Sequence, residues 1–414
     1  MADFFQGGSI TTLHRLTDRP LETLEDELRR YSRRRPMGLI LPSLFSELEG
    51  PALPKILDDL KHADYLSHII VGLDRANQEQ FGYAREFFSV LPQRVHLLWN
   101  DGPRLQMLDQ ELHGLGLSPP EPGKGRNVWF CLGYAIGLDV LRVIGLHDCD
   151  IVTYSRELPA RLLYPLAHPN FGFEYSKGYY ARVNENVLGG RVTRLFVTPL
   201  LRALKKLSGP IDYLEYMDSF RYPLSGEFAM SLELAKQVRI PGDWGLEVGL
   251  LSEVYRNISR HQICQVDIAD HYDHKHQDLS AEDRATGLAR MGTDIAKSIY
   301  RKMATEGIQM NKAYFRSLKA SYLRIALDFV EMYCHDARIN GLKFNRHGEE
   351  EAIEVFQHCI VEAGHNFTAD PLEAPFINNW KRVLSAVPDF TERLYAAVQE
   401  DNTDGGLPLG TVSG

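Results

Sequence analysis

Residues 37–74 read MGLILPSLFSELEGPALPKILDDLKHADYLSHIIVGLD, and this stretch decides the fold class. It opens and closes on short apolar runs, MGLILP and LSHIIVGLD, which are typical of buried strands. Between them, LPKILDDLKHADY carries its apolar residues at helical spacing. A strand, a helix and a second strand in this order predict a βαβ unit with parallel strands.

The alternation continues toward the chain's centre with a helix (QEQFGYAREFFSVL), a strand (RVHLLWN), a helix over residues 128–143 and a strand (VIGLHDCDIV). We therefore predict an α/β fold whose mainly parallel central sheet is covered by helices on both faces. Ligands of such sheets bind at the carboxyl ends of the strands, so the turn residues there are the first candidates for a site.

The patterns also predict how the chain is divided. From about residue 280 the apolar residues recur at spacings of three and four, which indicates a helical C-terminal extension. The predicted units are a helical arm (residues 1–35), an α/β domain (36–300) with halves at 36–150 and 151–300, a helical region (301–400) and a disordered tail (401–414).

Composition bounds the class of protein. The chain has 414 residues, 46 Lys and Arg against 55 Asp and Glu, a formal charge of −9 and 44% hydrophobic residues. These values exclude a largely disordered chain and argue against a nucleic-acid partner. Apolar runs fall short of the roughly 18 residues that a membrane span needs. The first residues lack the pattern of a secretory signal, and five cysteines without a CxxC pair suit a reducing compartment, so we expect a cytoplasmic protein.

The sharpest local motif is Asp148-Cys149-Asp150, directly after the apolar run VIGL. Alternation along an extended chain places the two carboxylates on the same side. Paired oxygen ligands suit Mg²⁺ or Mn²⁺, and the cation in turn suits a diphosphate. A polar turn with an Asp cap is the alternative. In HYDHKHQ, His271, His274 and His276 are candidates for a further metal ligand or for surface residues.

Three further segments carry candidate chemistry. Gly123 and Lys124 precede a predicted helix in a Pro/Gly loop, where backbone amides and a lysine suit a phosphate. Gly190, Arg191, Val192 and Thr193 lie in a stretch, 177–206, with seven basic residues against one acid, which suits a phosphorylated ligand. In PLSGE and DWGLE, Glu227 and Glu247 are each either a group that orients sugar hydroxyls or a carboxylate at a helix start.

The order of these motifs, PGKG, DCD, KGYYARV, GGRVT, PLSGE, WGLEVGLL and HKHQ, resembles the retaining glycosyltransferases of the GT-A fold over residues 37–300. Within them the chain is similar to the glucosyl-3-phosphoglycerate synthases and to the related mannosyl-3-phosphoglycerate synthases. The resemblance implies a Rossmann-like nucleotide-diphospho-sugar transferase domain, followed here by the helical extension. It also implies a homodimer.

The resemblance assigns roles to residues that match the family's motifs. Pro42, Leu44 and Glu47 in PSLFSE, Asp74, Gly123, Lys124 and Asp148 would bind the nucleotide sugar. Gly190, Arg191, Val192 and Thr193 would bind the acceptor, and Asp150 with His274 would bind Mg²⁺ or Mn²⁺, with His271 and His276 as rivals of His274. Glu247 would lie near the donor sugar and the acceptor hydroxyl, while Leu224 and Ser225 would line the site beneath the anomeric carbon.

The implied reaction transfers glucose from a nucleotide sugar, with UDP-glucose preferred, to the 2-hydroxyl of 3-phosphoglycerate. Its product, glucosyl-3-phosphoglycerate, would serve compatible-solute synthesis. Two alternatives remain open at this stage. One is mannosyl transfer from GDP-mannose, and the other is a non-catalytic protein that binds a sugar nucleotide.

Overall fold

A computed structural model describes residues 6–118, 122–273, 281–371 and 376–404. Its strands are β1 (Thr11–Leu13), β2 (Met37–Leu44), β3 (Leu66–Asp74), β4 (Arg94–Trp99), β5 (Val143–Leu146), β6 (Tyr175–Asn184), β7 (Val187–Leu188), β8 (Phe228–Ser231), β9 (Ile240–Pro241), β10 (Ile263–Tyr272) and β11 (Phe376–Ile377). Across the described ranges, the main sheet has the order β1-β10-β6-β8-β5-β2-β3-β4, with β7 paired to β6. A second sheet consists of β9 and β11.

The helices of the amino-terminal half are α1 (Leu21–Ser32), α2 (Phe45–Leu48), α3 (Ala52–Leu60), α4 (Gln78–Phe88), α5 (Pro103–Gly114), α6 (Lys124–Leu138), α7 (Glu157–Ala167) and α8 (Thr198–Ser208). A π-helical turn, Thr193–Val197, leads into α8. The helices that follow are α9 (Asp212–Asp218), α10 (Leu232–Gln237), α11 (Leu246–Asn257), α12 (Ala281–Thr305), α13 (Lys312–Ile339), α14 (Arg346–Ala369), α15 (Trp380–Ala386) and α16 (Phe390–Asp404).

The prediction of an α/β fold with a mainly parallel sheet is confirmed. β2 pairs in parallel with both β3 and β5, and β10 pairs in parallel with both β1 and β6. β8 is antiparallel to β5 and β6, and it therefore marks the point where the two parallel parts of the sheet join. The run MGLIL in β2 is buried on both faces, which explains why it is continuously apolar rather than alternating.

Two apolar cores lie on the two faces of the sheet. One includes Ile56, Phe81 and Leu163 beneath α3, α4 and α7. The other includes α6, α8 and α11 and extends without interruption into α12, α13 and α14. The C-terminal helices therefore share a core with the sheet-covering helices, and the Trp129 and Trp380 rings, which stack at 4.1 Å, join α6 to α15.

The division into an arm, a two-part α/β domain, a helical region and a tail stays a prediction. Three features bear on its limits: β1 lies within residues 1–35, α12 crosses residue 300, and α16 continues to Asp404. Residues 405–414 of the predicted tail lie outside the described ranges. All five cysteines are buried and free. Among the described helices, none has the length and apolar character needed to cross a membrane.

Candidate active site

The predicted nucleotide-sugar residues meet at the carboxyl edge of the central strands. β2 and β3 end in register, with Leu44 opposite Asp74, and Pro42 lies opposite Gly72 two positions earlier. Glu47 lies in α2, directly after β2, and its charge acts on Asp150 in the loop after β5. Strand ends that are distant in sequence thus supply one edge, as expected for an α/β sheet.

The centre of this edge is an ionic cluster of three predicted residues. Lys124 is the first residue of α6, and its Nζ lies 2.7 Å from Asp148 Oδ1 and 3.5 Å from Glu247 Oε1. Glu247 lies in the first turn of α11. Partial burial would lower the pKa of Lys124, but the carboxylates of Asp148 and Glu247 outweigh that effect and raise it. The lysine is therefore held as a cation in the middle of the site.

Gly226 allows the PLSGE segment to reach this cluster. A Cβ at position 226 would lie 2.3 Å from Asp148 Oδ2, closer than any side chain permits. The backbone of this segment therefore lies directly against the Asp148 carboxylate. Leu224, which is partly buried, and Ser225, which is fully buried, lie in this segment, and their place beneath the anomeric carbon stays a prediction.

Asp150 has properties that would suit a metal ligand. Its Oδ1 atom is buried and has no hydrogen-bond partner. Burial, followed by the charge of Asp148, raises the pKa of Asp150 to about 7. A divalent cation would offset both effects by pairing with the carboxylate, so Asp148 and Asp150 fit such an ion.

The predicted histidine ligand cannot be placed. His274 and His276 lie outside the described residues, as does the side chain of His271, although the backbone of β10 continues to Tyr272. Within the described ranges, no three Asp, Glu, Cys or His side chains form a metal-binding group. The assignment of His274 to the metal therefore stays a prediction.

Asp74 is held in place by two amides. Its Oδ1 accepts from the Asn100 side chain at 2.8 Å, and its Oδ2 accepts from the Asn127 side chain at 3.0 Å. Burial raises the pKa of Asp74, and these two hydrogen bonds oppose the rise. Asn127 lies one turn after Lys124 in α6, so the same helix positions both Asp74 and the ionic cluster.

Glu227 has a different role from the two that its sequence context suggests. It is fully buried directly before β8, where it accepts hydrogen bonds from Tyr272 (2.6 Å), Tyr180 (2.8 Å) and Ser225 (2.9 Å). Burial, followed by the charge of Asp148, raises its pKa. Its carboxyl group therefore joins β6, β10 and the PLSGE segment beneath the site instead of contacting solvent.

Lys177 is a buried cation that the sequence did not single out within the basic stretch. Its side chain donates to the Ser225 carbonyl at 2.5 Å, and the residue is only 1% exposed. Burial lowers its pKa to about 8, while Glu247 and Glu227 oppose that change. Lys177 thus holds in place the backbone of the PLSGE segment, which lies against Asp148.

The predicted acceptor segment is a distinct loop that contacts the same network. Gly190 has a φ of +66°, which favours glycine, and it lies against the ring of Tyr222. Tyr222 packs on Tyr180 with ring centres 5.1 Å apart. The partly buried Val192 precedes the π-helical turn, which begins with Thr193, whose buried Oγ1 has no hydrogen-bond partner.

Most charges of the basic stretch, residues 177–206, are already paired or buried. Few of them are therefore available to bind an anion, and the interpretation of the whole stretch as an anion-binding surface is too broad. Lys205 contacts both Glu215 and Asp218, and Arg202 lies 3.7 Å from Asp218. Arg191 retains 45% side-chain exposure, although its Nε lies 3.1 Å from Glu349 of α14. Arg191, Arg202 and Lys206 are the exposed basic residues of this stretch, and the contact of Arg191 with a ligand stays a prediction. Its partner Glu349 lies outside the motifs that the sequence singled out.

Two relatives are similar to this chain over nearly its full length. A glucosyl-3-phosphoglycerate synthase from Persephonella marina is 50% identical over 404 residues, covering 98% of this chain and all of the relative. Its counterpart from Methanococcoides burtonii is 42% identical, covering 96% of this chain and 98% of the relative. The chain belongs to the glucosyl-3-phosphoglycerate synthase family. It is therefore a glycosyltransferase.

Solved structures agree with the fold of this family. The glucosyl-3-phosphoglycerate synthase of Mycobacterium tuberculosis, in complex with Mn²⁺, UDP-glucose and phosphoglyceric acid, matches with a TM-score of 0.51 at 21% identity. That match covers 73% of this chain and 89% of the solved chain. Mannosyl-3-phosphoglycerate synthase from Rubrobacter xylanophilus also has a TM-score of 0.51 at 21% identity, covering 69% and 80%. No protein-family model matches. The prediction of a GT-A fold is confirmed.

Proposed function

We propose that this glycosyltransferase moves glucose from UDP-glucose to the 2-hydroxyl of 3-phosphoglycerate, with retention of configuration and with Mg²⁺ or Mn²⁺. The observation that carries the proposal is the cluster of Lys124, Asp148 and Glu247 beside the buried carboxylate of Asp150. The full-length similarity to enzymes named for this product supports the choice of sugar and acceptor. The bound UDP-glucose and phosphoglyceric acid in the mycobacterial enzyme support it further.

In this proposal the donor binds along the carboxyl edge of β2, β3 and β5. Asp74 and the segment from Pro42 to Glu47 receive the nucleoside, and Asp148 receives the ribose or sugar hydroxyls. Lys124 exchanges part of its contact with Asp148 for the diphosphate, since an ammonium group at a helix start is a suitable partner for phosphate. Glu247 then orients the sugar beside the acceptor hydroxyl.

Asp150 would hold the divalent cation, together with His274 in the segment after β10. A cation bound there neutralises negative charge that develops on the departing diphosphate. The unpartnered Oδ1 of Asp150 is the atom available for this role. Glu227 accepts a hydrogen bond from Tyr272 at the end of β10, two residues before His274 in the sequence.

The transfer forms one bond and breaks one. The 2-hydroxyl oxygen of the acceptor bonds to the anomeric carbon, while the bond from that carbon to the diphosphate oxygen breaks. The hydroxyl proton leaves with the diphosphate on the same face of the sugar, so no protein nucleophile is required. Arg191 with Gly190, Val192 and Thr193 holds the acceptor phosphate, and this orientation supplies part of the rate enhancement.

The proposal also includes a homodimer, a cytoplasmic location and a role of the product in compatible-solute synthesis. The five buried, free cysteines are consistent with a reducing compartment. Light scattering on the purified chain tests the dimer, because a particle with the mass of one chain would refute it.

The experiment that tests the function is a panel of donors and acceptors. UDP-glucose and GDP-mannose are each incubated with 3-phosphoglycerate or glycerate and with Mn²⁺, and release of the nucleoside diphosphate is measured by chromatography. We expect rapid release only with UDP-glucose and 3-phosphoglycerate together. Preference for GDP-mannose would favour the mannosyl alternative, and binding without release would favour a non-catalytic protein.

A further inference from the structure

The C-terminal helical region supplies a buried carboxylate to the acceptor loop. Glu349 lies in the first turn of α14, and only 5% of the residue is exposed. The helix begins after Asn345, whose side chain accepts from the Gly348 backbone at 3.1 Å. A carboxylate in this first turn is favoured by the helix dipole, and Glu349 lies at a position that faces the α/β domain.

Each oxygen of Glu349 contacts a different arginine of the acceptor loop. Oε1 accepts from Arg191 Nε at 3.1 Å, and Oε2 accepts from Arg194 Nη1 at 2.8 Å. Arg194 is 7% exposed and also donates to the carbonyls of Leu188 and Gly189. Arg194 therefore fixes the backbone of the loop, while Arg191 remains directed partly toward solvent.

Glu349 binds Arg191 through Nε, and this contact leaves the two terminal nitrogens of the guanidinium available for a ligand. The hydrogen bond uses Nε, and in the described part of the chain neither terminal nitrogen of Arg191 donates a hydrogen bond to a carboxylate. These two nitrogens are the pair that can bind two oxygens of one phosphate. Two arginines against one carboxylate leave a local charge of about +1, which still attracts a phosphate.

The rest of the C-terminal region reinforces the same loop. The Tyr322 hydroxyl of α13 donates to the Leu195 carbonyl at 2.6 Å, inside the π-helical turn. Phe356 of α14 stacks on Phe196 at 4.8 Å, and the Lys343 backbone donates to the Asn186 carbonyl at 2.7 Å. The C-terminal region thus contacts the chain before, within and after the predicted acceptor residues.

We propose that Glu349 is a positioning residue for the acceptor phosphate, acting through Arg191. It holds the guanidinium by Nε before the acceptor arrives, so that the terminal nitrogens already face the phosphate. Pre-orientation lowers the entropy that binding must remove. This inference rests on the proposed function, because it takes 3-phosphoglycerate as the acceptor. It assigns the helical extension a direct part in acceptor recognition.

The test compares Glu349→Gln with Glu350→Gln in the full-length protein. Glu350 is the next residue of α14 and pairs with Arg346 near the surface, so it is a matched control. We expect Glu349→Gln to raise the KM for 3-phosphoglycerate about tenfold and to leave the KM for UDP-glucose within about twofold. Glu350→Gln should leave both values unchanged. Equal rises in both KM values for Glu349→Gln would overturn the proposal.

A double-mutant cycle separates positioning from a merely structural role. Because Glu349 acts through Arg191, adding Glu349→Gln to Arg191→Ala should raise the KM for 3-phosphoglycerate by less than about twofold. If the two substitutions instead multiply, Glu349 acts independently of Arg191 and the proposal fails. Arg191→Ala alone should raise this KM and spare that for UDP-glucose.

Glu349→Asp covers the case in which Glu349→Gln does not fold, because a buried Arg194 without a counter-charge is destabilising. The shorter carboxylate keeps the charge near Arg194 but withdraws from Arg191. We expect a folded protein with a raised acceptor KM, whereas a lowered melting temperature with an unchanged KM would contradict the proposal. If the wild-type protein does not transfer glucose to 3-phosphoglycerate, the proposed function fails instead, before any variant is compared.

Discussion

The ammonium group of Lys124 lies 2.7 Å from the carboxylate of Asp148, so the first residue of α6 is joined directly to the loop after β5. The two residues are 24 positions apart, yet the parallel sheet brings the helix start and the strand end to the same edge. In the proposed reaction, this contact would hold a cation beside the donor diphosphate. The charge is maintained because Asp148 and Glu247 raise the pKa of Lys124.

Replacing Lys124 with methionine should reduce kcat/KM for UDP-glucose by about 100-fold, because the diphosphate loses a charged donor in a partly desolvated site. Steady-state kinetics at saturating 3-phosphoglycerate measure the effect. Lys61→Met is the control, since Lys61 pairs with Asp58 at the surface of another helix. A change below about threefold for Lys124→Met would remove the lysine from the donor site.

Asp150→Asn should reduce transfer that depends on divalent cations by about 100-fold or more, since the proposed cation would lose a charged ligand whose Oδ1 has no hydrogen-bond partner. Titration with Mn²⁺, followed by paramagnetic resonance, should find weaker binding than in the wild type. Asp139→Asn is a suitable control because Asp139 is exposed and has a φ of +50°, which asparagine tolerates. Unchanged Mn²⁺ affinity in Asp150→Asn would contradict the assignment.

Glu227→Gln should destabilise the protein by roughly 1–3 kcal/mol, because an amide cannot accept hydrogen bonds from all three hydroxyl groups that meet this carboxyl. Denaturant unfolding measures the loss. Tyr272→Phe removes one of the three donors. In a protein that already carries Tyr272→Phe, Glu227→Gln should therefore lower the free energy of unfolding by less than it does in the wild type. Equal costs in the two backgrounds would indicate that the bond between Glu227 and Tyr272 contributes nothing.

The stability of the protein should fall as the pH is lowered from about 6.5 to 4, in part through His96. This residue contacts the Tyr134 hydroxyl at 2.9 Å, and burial, followed by the charges of His68 and Arg94, lowers its pKa to about 4. In this pH range the imidazole of His96 binds a proton in the unfolded chain but not in the folded chain. The free energy of unfolding therefore decreases by on the order of 2–3 kcal/mol as the pH falls across this range.

His96→Asn should flatten that part of the pH profile, measured as melting temperature at a series of pH values. His113→Asn, at an exposed position on α5, is the control and should leave the slope as it is in the wild type. The same slope in the wild type and in His96→Asn would show that other groups cause the fall.

The sheet and its edge could be predicted because their signals are local. β2 and β3 are short, continuously apolar runs, as buried parallel strands require, and each is followed by polar residues. The acidic pair after β5 follows from the same rule about strand ends, while Lys124 was singled out because it precedes a predicted helix in a Pro/Gly loop. β1 escaped prediction because three residues, TTL, carry no periodicity, and their pairing with β10 depends on residues some 250 positions away.

Glu349 and Glu227 could not have been assigned from the sequence. Three consecutive glutamates, residues 349–351, follow the first three residues of α14, and only tertiary packing decides that Glu349 is buried against Arg194 while its neighbours remain more exposed. Arg191 and Glu349 are separated by 158 positions. Glu227 follows a glycine and resembles a residue at a helix start, but it precedes β8, and the two tyrosines that enclose it come from β6 and β10.

The central claim is tested most directly by nuclear magnetic resonance of the complete reaction. UDP-glucose labelled with ¹³C at the anomeric carbon is mixed with 3-phosphoglycerate, Mn²⁺ and a trace amount of the wild-type protein, and the product is examined after the metal is chelated. The account predicts a single new α-anomeric signal that couples to the proton on carbon 2 of the glycerate. A β-anomeric signal, linkage at another oxygen, or free glucose as the only product would contradict it.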